Sequence, residues 1–214
     1  AYTFTSAGTK TIYAWAKDAA GNISASAAAT INIPSLANIG NTNIYNLVSN
    51  YAKLRAMPVN FTQSGNITSI SVYHDGGSGN LLLGVYSDLN GQAANLLGIT
   101  AAVPVSSSAG WQTVTLSSPV AVASGQTVWL AWIFQNSVQV RYTSGTPARA
   151  ASNTAWNGTL PDSFRTAAYD NYKYSVYCTL SQGNSDVTKP VVSAFSMPST
   201  YTNLTVPVTD FTAT

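Results

Sequence analysis

The side chains able to do acid, base or metal chemistry are few. The seven acidic residues are all aspartates (Asp18, Asp75, Asp88, Asp162, Asp170, Asp186 and Asp210), Glu is absent, and His74 and Cys178 are single. One His and one Cys cannot build a zinc cluster, and one Cys cannot form a disulfide within the chain. A Ser-His-Asp triad would have to use His74, and a glycosidase pair would have to be Asp–Asp. The four Arg and five Lys are scattered and the net charge is +2, which does not support nucleic-acid binding.

The charges that exist are unevenly placed. Arg141, Arg149, Asp162, Arg165 and Asp170 fall within residues 141–172, together with Tyr142, Asn153, Trp156, Asn157, Phe164, Tyr169 and Tyr172. Sugars are held by flat aromatic faces stacked on the ring, with amides, carboxylates or Arg bonding the hydroxyls. This segment has little strand pattern and is expected to be a long loop carrying function. The expected ligand-binding residues are Trp156, Tyr142, Arg141, Asn157, Asp162, Arg165, Tyr169 and Asp170. Trp156, among turn formers, is either a ligand platform or a loop anchor.

Asp162 and Asp170 could form an acid/base pair, but no motif surrounds them, and hydroxyl contacts or turn capping read better. Asp75-Gly76-Gly77-Ser78-Gly79-Asn80 has the oxygens for calcium but not the spacing of a calcium loop; it reads as a glycine-rich turn, as does the stretch around Asp88. His74 is read as structural, on the polar face of a strand, and Cys178 as a buried thiol. No catalytic residue, metal or cofactor is expected.

The elements that must position these groups are strands, marked by period-two alternation. Thr11–Lys17 alternates with Ile12, Ala14 and Ala16 on one face. Thr68–His74 turns Ile70 and Val72 inward, and Trp111–Leu116 turns Val114 and Leu116 inward. Tyr172–Leu180 puts Tyr172, Tyr174, Val176, Cys178 and Leu180 on one side. Val128–Phe134 is apolar on both faces, as a strand covered on both sides requires. Trp132 and Trp129 are therefore assigned to the core, the latter with a ligand face possible, while Trp111 is exposed or covered by a loop. Gly, Pro, Asn and Ser separate the runs, and strong helix formers are scarce. The expected fold is all-β, an antiparallel sandwich. Only 7% of the chain is charged, against about a quarter in ordinary domains; neutral polar residues do the solvating, a style of secreted β-proteins.

Composition breaks at Ile33-Pro34-Ser35 and at Gln182–Asp186 divide the chain into 1–33, 36–181 and 187–214. GTKTIYAWAKDAAGNISASAAATINI (8–33) resembles the last two strands of a bacterial Ig-like repeat, with Asp18–Asn22 as its hairpin turn. TKPVVSAFSMPSTYTNLTVPVTDFTAT (188–214) resembles the first two strands of such a repeat. YHDGGSGNLLLGVYSD (73–88) and GWQTVTLSSPVAVASGQTVWLAW (110–132) resemble carbohydrate-binding-module-like β-sandwiches of extracellular bacterial proteins.

These resemblances imply a jelly-roll-like sandwich (36–181) inserted between incomplete Ig-like strands. The chain begins at Ala1 without Met and is read as a window of a longer protein. The implied function is non-catalytic binding of a polysaccharide or glycan, on a protein secreted to or displayed on a bacterial surface. The alternative is a structural adhesin stalk or fibre, in which the partial Ig-like pieces pair with neighbouring repeats or with copies of the same chain. No membrane span is expected, since no apolar run approaches the roughly 20 residues needed.

Overall fold

The computed structural model describes residues 4, 6–50, 52–164 and 167–182, and two further strands by backbone alone. The described residues are all-β and every strand pairing is antiparallel. The chain divides into two compact units, one of Ala1–Pro34 with Asn184–Thr214 and one of Ser35–Gly183.

In the smaller unit, β1 (Gly8–Ala14) pairs with β2 (Ala27–Ile33), from Gly8↔Ile33 to Ala14↔Ala27. The ladder starts and stops earlier than the alternation in Thr11–Lys17 predicts. The turn that follows sets this limit. Asp18 accepts the Asn22 backbone N–H on Oδ1 and the Asn22 amide on Oδ2, each at 2.8 Å, and Gly21 sits at φ +95°, a conformation glycine adopts freely. The amide donors of Asn22 hold the Asp18 carboxyl below its ordinary pKa.

The larger unit contains β3 (Ser35–Gly40), β4 (Leu47–Asn50), β5 (Lys53–Asn60), β6 (Gly65–His74), β7 (Asn80–Leu89), β8 (Gln92–Ile99), β9 (Val103–Pro104), β10 (Gly110–Val122), β11 (Thr127–Phe134), β12 (Gln139–Ala155), β13 (Ala167–Tyr174) and β14 (Val176–Gln182). One layer runs β3-β14-β6-β10, and the other β13-β12-β5-β11-β7-β8. Strand β12 links them: Val140 pairs with His74 of β6, and Ala150 and Ala151 pair with Ala56 and Arg55 of β5. In the smaller unit, β15 (Val192–Ser196) and β16 (Asp210–Ala213) form a second two-stranded sheet.

Alternation places the core between the layers. Ile70 and Val72 of β6, Val114 and Leu116 of β10, and Val176, Cys178 and Leu180 of β14 meet Met57, Leu83, Val128, Leu130 and Trp132 of the other layer. A second apolar cluster lies on the opposite face of β11, where Trp129, Ala131 and Ile133 join Leu54, Tyr86 and Ala150 under Leu160 and Phe164. Strand β11 is thus covered on both sides, as its continuous apolar run predicts.

Three expectations change. Residues 141–172 are mostly strand, because β12 extends to Ala155 and β13 begins at Ala167. The Tyr172–Leu180 strand is broken at Ser175, whose N–H donates to the Arg141 carbonyl and whose carbonyl accepts from the Tyr73 N–H, each at 3.0 Å. The break carries the chain from one layer to the other, while Tyr174, Val176, Cys178 and Leu180 remain inward. His74 is not on a polar face: it shares the inward side of β6 with Ile70 and Val72 and is fully buried.

Its imidazole accepts the Gly76 N–H on Nδ1 (3.1 Å), which leaves Nε2–H to donate to Gln112 Oε1 at 2.8 Å. Burial lowers the His74 pKa from the ordinary 6.5. The unfolded chain therefore takes the proton first. This contribution to stability is full above about pH 6.5 and is lost as pH falls below it. Urea midpoints measured from about pH 8 to about pH 5 should hold steady and then drop; a midpoint that rises on acidification contradicts this assignment.

Candidate functional site

Register brings the polar groups of β12 and β13 together. Arg149 lies opposite Asp170, after a register irregularity between Ser144 and Arg149. Arg149 and Ala151 share one face of β12 by alternation, and Ala151 pairs with Arg55 of β5. The two arginines therefore occupy diagonal positions on neighbouring strands, within reach of one site.

Here the face opens into a groove of about 1110 Å³. Arg55, Arg149, Ala151, Ala167, Ala168 and Asp170 line it from the strands, and Ser152, Asn153, Thr154, Asn157 and Pro161 line it from the end of β12 and the connection that follows. The alanines leave it shallow, and the long polar side chains stand over them.

Both guanidinium groups are largely buried, at 6% exposure for Arg55 and 9% for Arg149. Arg55 Nη1 donates to Ser49 Oγ at 2.8 Å and to the Tyr174 hydroxyl at 2.7 Å, and its guanidinium carbon lies 5.4 Å from the Tyr174 ring centroid. Arg149 Nη2 lies 2.8 Å from Asp170 Oδ2, with Tyr172 beside it at 5.7 Å. The Arg149 Nε and Nη1 atoms are buried and have no hydrogen-bond partner among the described residues. Asn157 Oδ1 accepts the Thr159 N–H at 3.2 Å, which fixes the turn carrying its amide.

Of the expected ligand residues, Asn157 and Asp170 come together in this groove. Arg141 instead pairs with Asp75, Nε to Oδ1 at 2.8 Å, and the carboxylate raises its pKa. Tyr142 is half-buried between Tyr172 (5.2 Å, 77°) and Tyr174 (5.4 Å, 28°). Trp156 is half-buried against the second apolar cluster, which is the anchor geometry of its two readings. Tyr169 sets its ring against Trp129 at 5.8 Å.

Asp162 is exposed, and its carbonyl accepts the Leu96 N–H at 2.8 Å. Arg165 lies outside the described residues. The connection after β12 is further held by the Phe164 N–H on the Ala94 carbonyl and by the Tyr86 hydroxyl on the Pro161 carbonyl, each at 2.8 Å.

Sequence reasoning missed Arg55 as a groove residue and named Arg149 only within the segment. The available signal was a cation set among apolar or small neighbours, in Leu54-Arg55-Ala56 and Ala148-Arg149-Ala150. It also missed an aromatic patch on the other layer. Trp111 is half-buried between Tyr73 (5.6 Å) and Tyr177 (4.7 Å), beside the Ser71–Thr113 hydroxyl contact at 2.7 Å.

Elsewhere, burial pushes the Cys178 thiol up to about 12, so it is not a nucleophile. No group of three or more His, Cys, Asp or Glu able to hold a metal occurs among the described residues, and no helix there is long and apolar enough to cross a membrane. No family model, curated protein or solved structure matches the chain.

Proposed function

We propose that the larger unit is a non-catalytic carbohydrate-binding module and that the β12–β13 groove is its site. The observation that carries this reading is the convergence of a carboxylate, a cation with spare donors and two asparagines over a shallow alanine floor. A sugar presents several hydroxyls, each both donor and acceptor, to a surface. Asp170 accepts from them, Arg149 donates, and Asn153 and Asn157 do either. The resemblance of the flanking strands to Ig-like repeats supports display on a bacterial surface.

The test is a glycan array followed by titration of the best hit. The double variant Asn153→Ala/Asn157→Ala should weaken binding by about tenfold or more, since each lost hydrogen bond in a partly dry site costs roughly 1 kcal/mol. Undiminished binding removes the groove from the account.

A second reading is assembly through the smaller unit. It rests on the exposure of Ile12, Tyr13, Trp15, Ile23 and Ile31 about the β1–β2 hairpin, which as a two-stranded sheet is marginal alone. In this reading the hairpin is covered by strands of a neighbouring repeat or of another copy. Sedimentation that stays monomeric as concentration rises counts against assembly of copies.

A further inference from the structure

We infer that the groove takes a carboxylate-bearing sugar, a uronic acid residue of an acidic polysaccharide, with the carboxylate held by Arg149. The inference rests on the carbohydrate reading above and names its ligand class.

The first ground is a hydrogen-bond deficit. A guanidinium carries five N–H donors, one on Nε and two on each Nη. Asp170 engages Nη2, and the donors on Nε and Nη1 have no acceptor among the described residues although those atoms are buried. Buried donors are normally paired, and charged ones are the costliest to leave unpaired.

The second ground is charge. Two largely buried guanidinium groups share a groove that contains one carboxylate. Buried charges are ordinarily compensated, and a second anion brought by the ligand balances this pair. The planar fork of Arg suits a carboxylate in particular.

Position supplies the route. The Asp170 side chain is 46% exposed while that of Arg149 is 11% exposed, so Asp170 caps the guanidinium from the solvent side. A ligand carboxylate displaces or shares with Asp170 at Nη2 and takes up donors that Asp170 leaves. Asn153 and Asn157 then lie along the same wall for the neighbouring hydroxyls. A neutral sugar satisfies the hydroxyl partners and leaves the charge imbalance as it was.

The experiment is calorimetric titration of the full chain with oligomers of galacturonic, glucuronic and mannuronic acid, with their methyl esters and with a panel of neutral oligosaccharides. At least one acid form should bind about tenfold or more tightly than its own ester. Arg149→Gln should abolish that preference, with its thermal midpoint measured as a folding control. Asp170→Asn should raise the acid-to-ester ratio, because it removes the competing carboxylate; a merely structural ion pair predicts weaker binding from either change.

Equal binding of acid and ester overturns the inference, as does a lower ratio in Asp170→Asn. Dextran sulfate binding as tightly as the uronates at the same ionic strength also overturns the carboxylate assignment. If neutral oligosaccharides bind and acids gain nothing, the carbohydrate reading stands and this inference falls. If no glycan binds, both fall.

Discussion

Trp132→Ala is expected to lower the unfolding free energy by about 3–5 kcal/mol, the usual cost of emptying a buried Trp site. Trp132 is 1% exposed in the inter-layer core. A single domain typically has only about 5–15 kcal/mol in hand, so the variant should unfold at markedly lower urea. The loss should reach the groove as well. Trp132 pairs with Arg55 across β11 and β5, and its ring lies 5.0 Å from that of Tyr174, whose hydroxyl accepts from Arg55. The cavity therefore forms beneath the group that positions one of the two groove cations. Trp132→Phe, which keeps an aromatic ring there, should recover much of both stability and glycan binding. Chemical denaturation with a binding titration checks this, and an unchanged urea midpoint for the Ala variant contradicts the core assignment.

Phe164→Ala should cost a comparable amount, about 3–5 kcal/mol by the same argument, with a more local consequence. Phe164 is fully buried and meets Tyr86 edge to face at 5.2 Å and 87°. With Leu160 it closes the second apolar cluster. The Pro161 carbonyl is held by the Tyr86 hydroxyl, whose pKa burial raises further above its ordinary value. Removing the ring loosens 156–164 from β8, and with it Asn157 and Pro161 on the groove wall. Amide hydrogen exchange should quicken at Leu96 and Phe164, whose N–H groups bond across that seam, before it quickens in β6 or β14. Uniform loss of protection across the unit contradicts the local account.

These two positions show where the sequence was legible. Strand β11 was readable because Thr127–Phe134 is an apolar run with no interruption, and only a strand covered on both faces needs one. The inward sides of β6, β10 and β14 followed from alternation. Strand β12 did not, because its two faces do not differ in the usual way. Ala150 is buried on one side, while Arg149 and Ala151 occupy the other; small residues and a buried cation flatten the apolar–polar contrast that period-two reading depends on. The register irregularity between Ser144 and Arg149 breaks the period again.

The same flattening moved the expected site. Residues assigned to a binding loop turned out to be strand, and its aromatics mostly serve packing. Tyr142 rests on Tyr174, Trp156 on the second cluster and Tyr169 on Trp129. Asn157 and Asp170 remain in the groove because one follows the end of β12 and the other stands opposite Arg149. Arg55 lies far from them in sequence, and only the β5–β12 pairing brings it near; no local pattern encodes that pairing.

The central claim is that the groove between β12, β13 and β5 binds carbohydrate. Its most direct measurement is a backbone amide chemical-shift map of the full chain titrated with the best array glycan. The account predicts saturable shifts concentrated at Arg55, Arg149, Asn153, Asn157 and Asp170, with Tyr73, Trp111 and Tyr177 unmoved. Shifts confined to that aromatic patch, or none at saturating glycan, would contradict it.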